Sequence, residues 1–157
     1  MTRRIIPPGE LEERLMDKLT EVLPGMTTKI FLSKQKLMMF AAAVGYFKNK
    51  KEKIEKKGEG IRFDIFEKAL DDGYINALAV SETGNLNILD PTSHDARATI
   101  FEEYAHAGLL EIEKACFEQV GDPLDNLLKL IEEARMQSAE KINGIDEAVL
   151  KRLMDSI

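Results

Sequence analysis

Apolar residues recur at Leu11, Leu15, Leu19 and Val22 before Pro24-Gly25 interrupts the chain. That spacing predicts a first helix with one apolar stripe and a charged outer face. Ahead of it, Pro7-Pro8-Gly9 closes an extended N-terminal arm. Ser33 is placed to cap a second helix by accepting a hydrogen bond from an unpaired backbone N–H. On that helix Leu37, Phe40, Ala41 and Val44 mark one face, while Met38, Met39, Ala42 and Ala43 make the other apolar too. A helix apolar all round is buried on all sides. Residues 37–47 therefore read as the largely buried central helix or, in a domain too small to enclose it, as a homodimer interface.

The segment Ile61-Arg62-Phe63-Asp64-Ile65-Phe66 alternates apolar and polar, the period of a half-buried strand, although a helix turn beginning at Asp64 competes with it. Asn85 to Leu89 is a second short apolar piece, so a strand or hairpin near 61–66 and 85–89 is one option. Between them Ile75, Leu78, Ala79 and Glu82 suggest a short helix ended by Gly84 in the left-handed cap position. The clearest helix runs from about Ala96 to Gln119. Phe101, Tyr104, Ala105, Gly108, Leu109, Ile112 and Cys116 keep one face, and Glu102, Glu103, Glu111, Glu113 and Glu118 are expected in water. Asp122-Pro123 then announces another helix, an N-cap acceptor followed by proline at the first helical position. Its stripe is Leu124, Leu127, Leu128 and Ile131. A last amphipathic segment follows Gly144, with Ala134 to Asn143 as a continuation or a hinge. The fold expected is mainly α: a single helical domain over 1–120 and a C-terminal helical extension over 121–157 packing on it.

Composition narrows the function classes. The 157 residues are 44% hydrophobic, enough for a core, but only 6% aromatic, with no Trp, so aliphatic and Met side chains must fill the interior. The lone Cys116 excludes an internal disulfide framework and fits a reducing compartment. Two N-terminal arginines precede no apolar signal region, and the longest apolar run, Leu37 to Phe47, is about half of what a membrane span needs. A cytoplasmic protein with no membrane contact is expected. Net charge is −6, distributed unevenly: +5 over residues 1–60, −4 over 61–98 and −7 over 99–157. A basic front and an acidic back suit docking on partners of opposite sign, including copies of the same chain.

Tests for chemistry return little. With two histidines and one cysteine, finger-type zinc sites are excluded. Glu103-Tyr104-Ala105-His106 has the Glu-x-x-His spacing of di-iron bundles, but those need a second such pair and two more inward glutamates. His94, in a Pro/Ser turn, supplies none of these. Cys116 lies on an apolar stripe, Gly58-Glu59-Gly60 lacks the spacing of a phosphate loop, and the adjacent acids diverge on a helix. No cofactor and no bound metal are expected. One segment invites a ligand: six lysines, Lys48, Lys50, Lys51, Lys53, Lys56 and Lys57, against two glutamates, too polar to pack and able to meet phosphate as mobile charges.

Four stretches in order resemble a known family: Phe40-Ala41-Ala42-Ala43-Val44-Gly45-Tyr46; the lysine-rich connection to Ile61-Arg62-Phe63-Asp64-Ile65-Phe66; Leu78-Ala79-Val80-Ser81-Glu82; and Ile100-Phe101-Glu102-Glu103-Tyr104-Ala105-His106-Ala107-Gly108-Leu109. They resemble the small fourth accessory protein of bacterial and archaeal DNA phosphorothioation (dnd) systems, over about residues 27–117. The tail beyond Pro123 lies outside that likeness. Phe40, Gly45, Arg62, Phe66, Glu82, Phe101, Glu102, Glu103, Tyr104 and Gly108 carry it. Where this chain has His106 the family pattern favours Asn, which argues against a ligand role there. The resemblance implies a setting, in which sulfur replaces a non-bridging phosphate oxygen of DNA and companion proteins restrict unmodified DNA, but no reaction. Three readings follow: a non-enzymatic adaptor for protein components of such a defence system; a DNA-binding component using the lysine segment; and a metal-dependent nuclease built from scattered acids such as Asp64, Glu82 and Glu103.

Overall fold

The structure, a computed structural model, describes residues 3–156, and over 139–150 the backbone alone. The chain divides into two compact units, Met1–Glu113 and Lys114–Ile157. Among the described residues seven α-helices carry the fold, with two isolated β-bridges and no sheet.

In the first unit the arm runs extended to Pro8. The first helix forms as α1 (Gly9–Leu11), a π-helical stretch over Glu12–Met16 and α2 (Asp17–Leu19), and buries Leu11, Leu15, Met16 and Leu19. It stops before the expected Val22, which is exposed. The Thr20 hydroxyl turns back to donate to the Met16 carbonyl at 2.8 Å, closing the last turn. Helix α3 (Lys34–Phe47) is capped as expected, with the Ser33 hydroxyl accepting from the Lys36 N–H. Leu37, Met38, Ala41, Ala42, Val44 and Gly45 are buried, whereas Ala43 and Tyr46 meet solvent.

The strand option at 61–66 is replaced by α4 (Phe63–Lys68). Only Ile61 pairs, in a single antiparallel bridge to Ile5, and with no second strand beside it the alternation has no ladder to join. The helix instead puts Phe63 and Phe66 three residues apart on one side, where they stack with centroids 6.2 Å apart. Ile65, apolar by pattern, is left exposed. Likewise 85–89 is a 3₁₀ turn, Leu86–Leu89, because the Asn85 side chain accepts from the Asn87 N–H and starts a turn instead of a strand. Helix α5 (Asp72–Thr83) ends at Gly84 with φ +64, the left-handed cap expected there.

Helix α6 (His94–Phe117) is the most enclosed helix of the first unit. Ala98, Phe101, Glu102, every residue from Tyr104 to Leu109, and Ile112 are buried. Two glycines let α3 and α6 cross at backbone contact. A methyl built on Gly108 would lie 1.7 Å from the Ala41 carbonyl oxygen, and one on Gly45 would lie 2.1 Å from that of Tyr104. Neither position has room for a Cβ.

In the second unit α7 (Pro123–Asp155) starts as its sequence announces, with Asp122 accepting from the Leu124 N–H at 2.9 Å. Its backbone continues as one helix through Ala134 to Asn143, which settles that segment as a continuation and not a hinge. Asn126, Leu127 and Leu130 are buried, while Leu128, Ile131 and Met136 are exposed. The side chains of Ile145, Val149 and Leu150 lie outside the described residues.

Candidate lysine-strap site

The lysine segment leaves α3 through a turn that the sequence encodes in Asn49. This residue takes φ +53, a value tolerated by Asn better than by most residues. Its N–H bonds to the Tyr46 carbonyl at 3.0 Å, and that of Lys50 to Gly45 at 2.9 Å, the paired closure of a Schellman motif. The chain then runs beside α6 in an irregular but tightly held path. The Glu52 N–H donates to the Glu103 carbonyl at 3.0 Å. His106 Nδ1 lies 2.9 Å from the Lys53 carbonyl oxygen and 3.2 Å from that of Glu52. Carbonyl oxygens only accept, so Nδ1 carries the hydrogen and the ring clamps the strap. Nε2 faces Glu10 at 3.6 Å.

The far end of the strap is tied to the N-terminal arm. Gly9 N–H donates to the Lys56 carbonyl at 2.7 Å, Gly58 N–H to Pro7 at 2.9 Å, and Ile5 and Ile61 exchange both bonds at 2.9 and 2.8 Å. Glu12 completes the junction by accepting from the Glu59 N–H at 2.6 Å.

The six lysines divide at Glu52. Lys48 and Lys50 both reach Glu111, at 3.7 and 2.8 Å, and Lys51 pairs with Glu82. Glu82 also accepts from the Tyr104 hydroxyl. These two donors hold the Glu82 carboxyl below the usual carboxylate range, and burial beside that carboxylate pushes the Tyr104 phenol up. Lys53, Lys56 and Lys57 are exposed and have no ion pair among the described residues. Lys53 and Lys57, with Arg3, Thr99, Glu102 and Glu103, border an open cleft of about 280 Å³.

Of the five glutamates expected in water, Glu118 is exposed, whereas Glu103, Glu111 and Glu113 are half-buried and Glu102 is buried. Glu102 is 4% exposed and takes a two-pronged bond from Arg3, at 2.7 and 2.9 Å, and a further one from the Ile6 N–H. Burial still pushes its carboxyl above the usual range, against the pull of Arg3, of that N–H and of the Lys57 charge. Glu113 holds Arg14 at 2.7 and 3.0 Å. Three acids of the back, Glu102, Glu111 and Glu113, are thus paired with cations of the basic front inside one unit. Nothing in a helical wheel shows this, because the cations come from elements 61 to 99 residues away.

The remaining motif residues act in packing. Phe66 meets Phe101 edge-on at 5.8 Å, Phe40 lies 5.3 Å from Phe31, and Gly45 and Gly108 make the crossing. Arg62 pairs with Asp64 at the surface, and their mutual attraction lowers the Asp64 carboxyl and raises the Arg62 guanidinium. Cys116 is buried, and burial pushes its thiol up to about 11. Among the described residues no three His, Cys, Asp or Glu side chains are grouped to hold a metal, so Asp64, Glu82 and Glu103 are not brought together as one. Also among these, no helix is long and apolar enough to cross a membrane.

The sequence profile of the family described as DNA sulphur modification system-associated protein 4 matches residues 7–149. The match extends on both sides of the stretch carried by the four motifs and takes in most of the tail beyond Pro123, which is therefore not peculiar to this chain. No curated protein and no solved structure matches it.

Proposed function

Since the chain belongs to the family of DNA sulphur modification system-associated protein 4, we propose that it serves that system as a non-enzymatic adaptor that binds the system's protein components. One observation carries this reading. Three of the groups in the family-like stretch that could perform acid–base chemistry are committed to holding the fold: Glu102 to Arg3 and the Ile6 N–H, Tyr104 to Glu82, and His106 to two carbonyls of the strap, while Glu103 borders the cleft with no second acid or base directed at it among the described residues. A general acid or base needs a lone pair or proton directed at a substrate, and those of the three point at the protein itself.

The contact surface we assign lies on α7. Leu128 and Ile131 sit one helical turn apart, 53% and 41% exposed. Apolar side chains in a row on a helix suit a partner groove, read at helical spacing. The test is co-purification of the full chain with each protein encoded by the same sulphur modification system. Stable retention of at least one is expected, and Leu128→Asp/Ile131→Asp should reduce it at least tenfold. Retention of none, or equal retention by the double variant, contradicts the reading.

A further inference from the structure

We propose that Lys53, Lys56 and Lys57, with Arg4 beside them, form a docking face for the phosphodiester backbone of duplex DNA. This goes beyond the protein-contact reading and does not rest on it. The lysine segment as a whole is not the site. Lys48, Lys50 and Lys51 are spent on Glu111 and Glu82, whereas the second three reach solvent without an ion-pair partner among the described residues. Arg4 is exposed and donates to the Gly60 carbonyl at 3.0 Å, which fixes it on the same ribbon as Lys57. Arg4 lies four residues along the arm from Pro8, the bridge partner of Lys57, about 13 Å in extended chain.

Two properties favour phosphate over a protein partner. The backbone beneath the charges is pinned on both sides, by His106 from α6 and by the Ile5, Pro7 and Gly9 bonds from the arm. A fixed row of mobile point charges suits a polyanion of regular repeat, read without sequence choice. The apolar neighbours of this face, Ile6 and Ile54, are half-buried, and lysine is depleted at the core of protein interfaces. The cleft alongside, bordered by Arg3, Lys53, Lys57 and Thr99, gives a phosphate room to approach. Of its two acids, Glu102 is already bound by Arg3 and Glu103 lies in the field of Lys51. Glu55 and Glu59 interrupt the row and set its limit: the face should bind weakly, and their removal should strengthen it.

The measurement is fluorescence anisotropy of a labelled 20-base-pair duplex of mixed sequence with the full chain, from 50 to 200 mM salt. Three or four phosphate contacts give a log–log slope of about −2.7 to −3.6, a loss of about 40- to 150-fold over that range. Lys53→Gln/Lys56→Gln/Lys57→Gln should cost at least tenfold at 50 mM and flatten the slope. The triple arginine variant should keep both affinity and slope, and Glu55→Gln/Glu59→Gln should tighten binding several-fold. No binding by the unsubstituted chain at 50 mM salt overturns the proposal. So does binding unchanged in the triple glutamine variant, or loss by that variant of a protein partner with no effect on DNA. The first outcome leaves the protein-contact reading standing, because co-purification reads that separately.

Discussion

Lys48, Lys50 and Lys51 and, directly after them, Lys53, Lys56 and Lys57 come from one unbroken basic run, yet the fold uses them in opposite ways. The first three meet acids of α5 and α6 and staple the strap to the first unit. The second three stand on a backbone already held by His106 and the N-terminal arm, and their charges remain outside. Charge in a sequence is thus no guide to charge on a surface until its partners are located. Net charge by segment suggests a basic front free to meet an acidic back on another molecule. The structure closes part of that attraction within one unit, through Arg3–Glu102, Arg14–Glu113 and the lysine pairs to Glu82 and Glu111.

The sharpest way to disturb the strap is through the crossing that positions it. Gly108→Ala should destabilise by about 3 kcal/mol, since the added methyl meets the Ala41 backbone and cannot rotate away. Thermal unfolding should then occur roughly 10 °C lower. Gly73→Ala provides the contrast. A methyl there meets nothing within 4 Å, so gaining a better helix former in α5 should stabilise slightly. Equal effects at the two glycines would remove the case for a close crossing.

That contrast also separates what the sequence makes legible from what it does not. Ser33, Gly84 and Asp122-Pro123 announce their caps correctly, because capping depends on residues within a turn of one another. The alternation at 61–66 misleads because a strand depends on a neighbour that local sequence does not display, and Ile61 has only Ile5. The burial of Glu102 and His106 is hidden for the same reason. Their partners, Arg3 and the carbonyls of Glu52 and Lys53, are distant in sequence. A signal was present nonetheless: an acid and a histidine inside the run Phe101 to Leu109, where nearly every other residue is apolar or small.

A smaller effect sharpens the comparison through pH, because the two carboxylates beside the strap shift in opposite directions. Glu82, held low by Lys51 and Tyr104, contributes stability that is present above its unfolded value near 4.5 and is lost as pH falls through its folded value. Glu102, raised by burial, has the reverse sign: its contribution is present below 4.5 and is lost as pH rises through its folded value. Carboxyl NMR titration should therefore place the Glu82 midpoint below 4.5 and the Glu102 midpoint above it. Lys51→Gln should move the Glu82 midpoint up and leave that of Glu102 where it is. Coincident midpoints would mean that the strap does not hold its first three lysines against the helices.

The division of the lysine segment is tested most directly by thermal unfolding of two matched variants, Lys48→Gln/Lys50→Gln/Lys51→Gln and Lys53→Gln/Lys56→Gln/Lys57→Gln. Each removes three positive charges from the same run, so net charge is equal in both. The first should lose about 1 kcal/mol, the sum of three partly exposed pairs, and melt roughly 4 °C lower than the unsubstituted chain. The second should melt within about 1 °C of it, since none of its lysines has an ion pair among the described residues and only Lys57 acts on a buried acid, Glu102, without contact. Equal losses, or a larger loss in the second variant, would contradict the account.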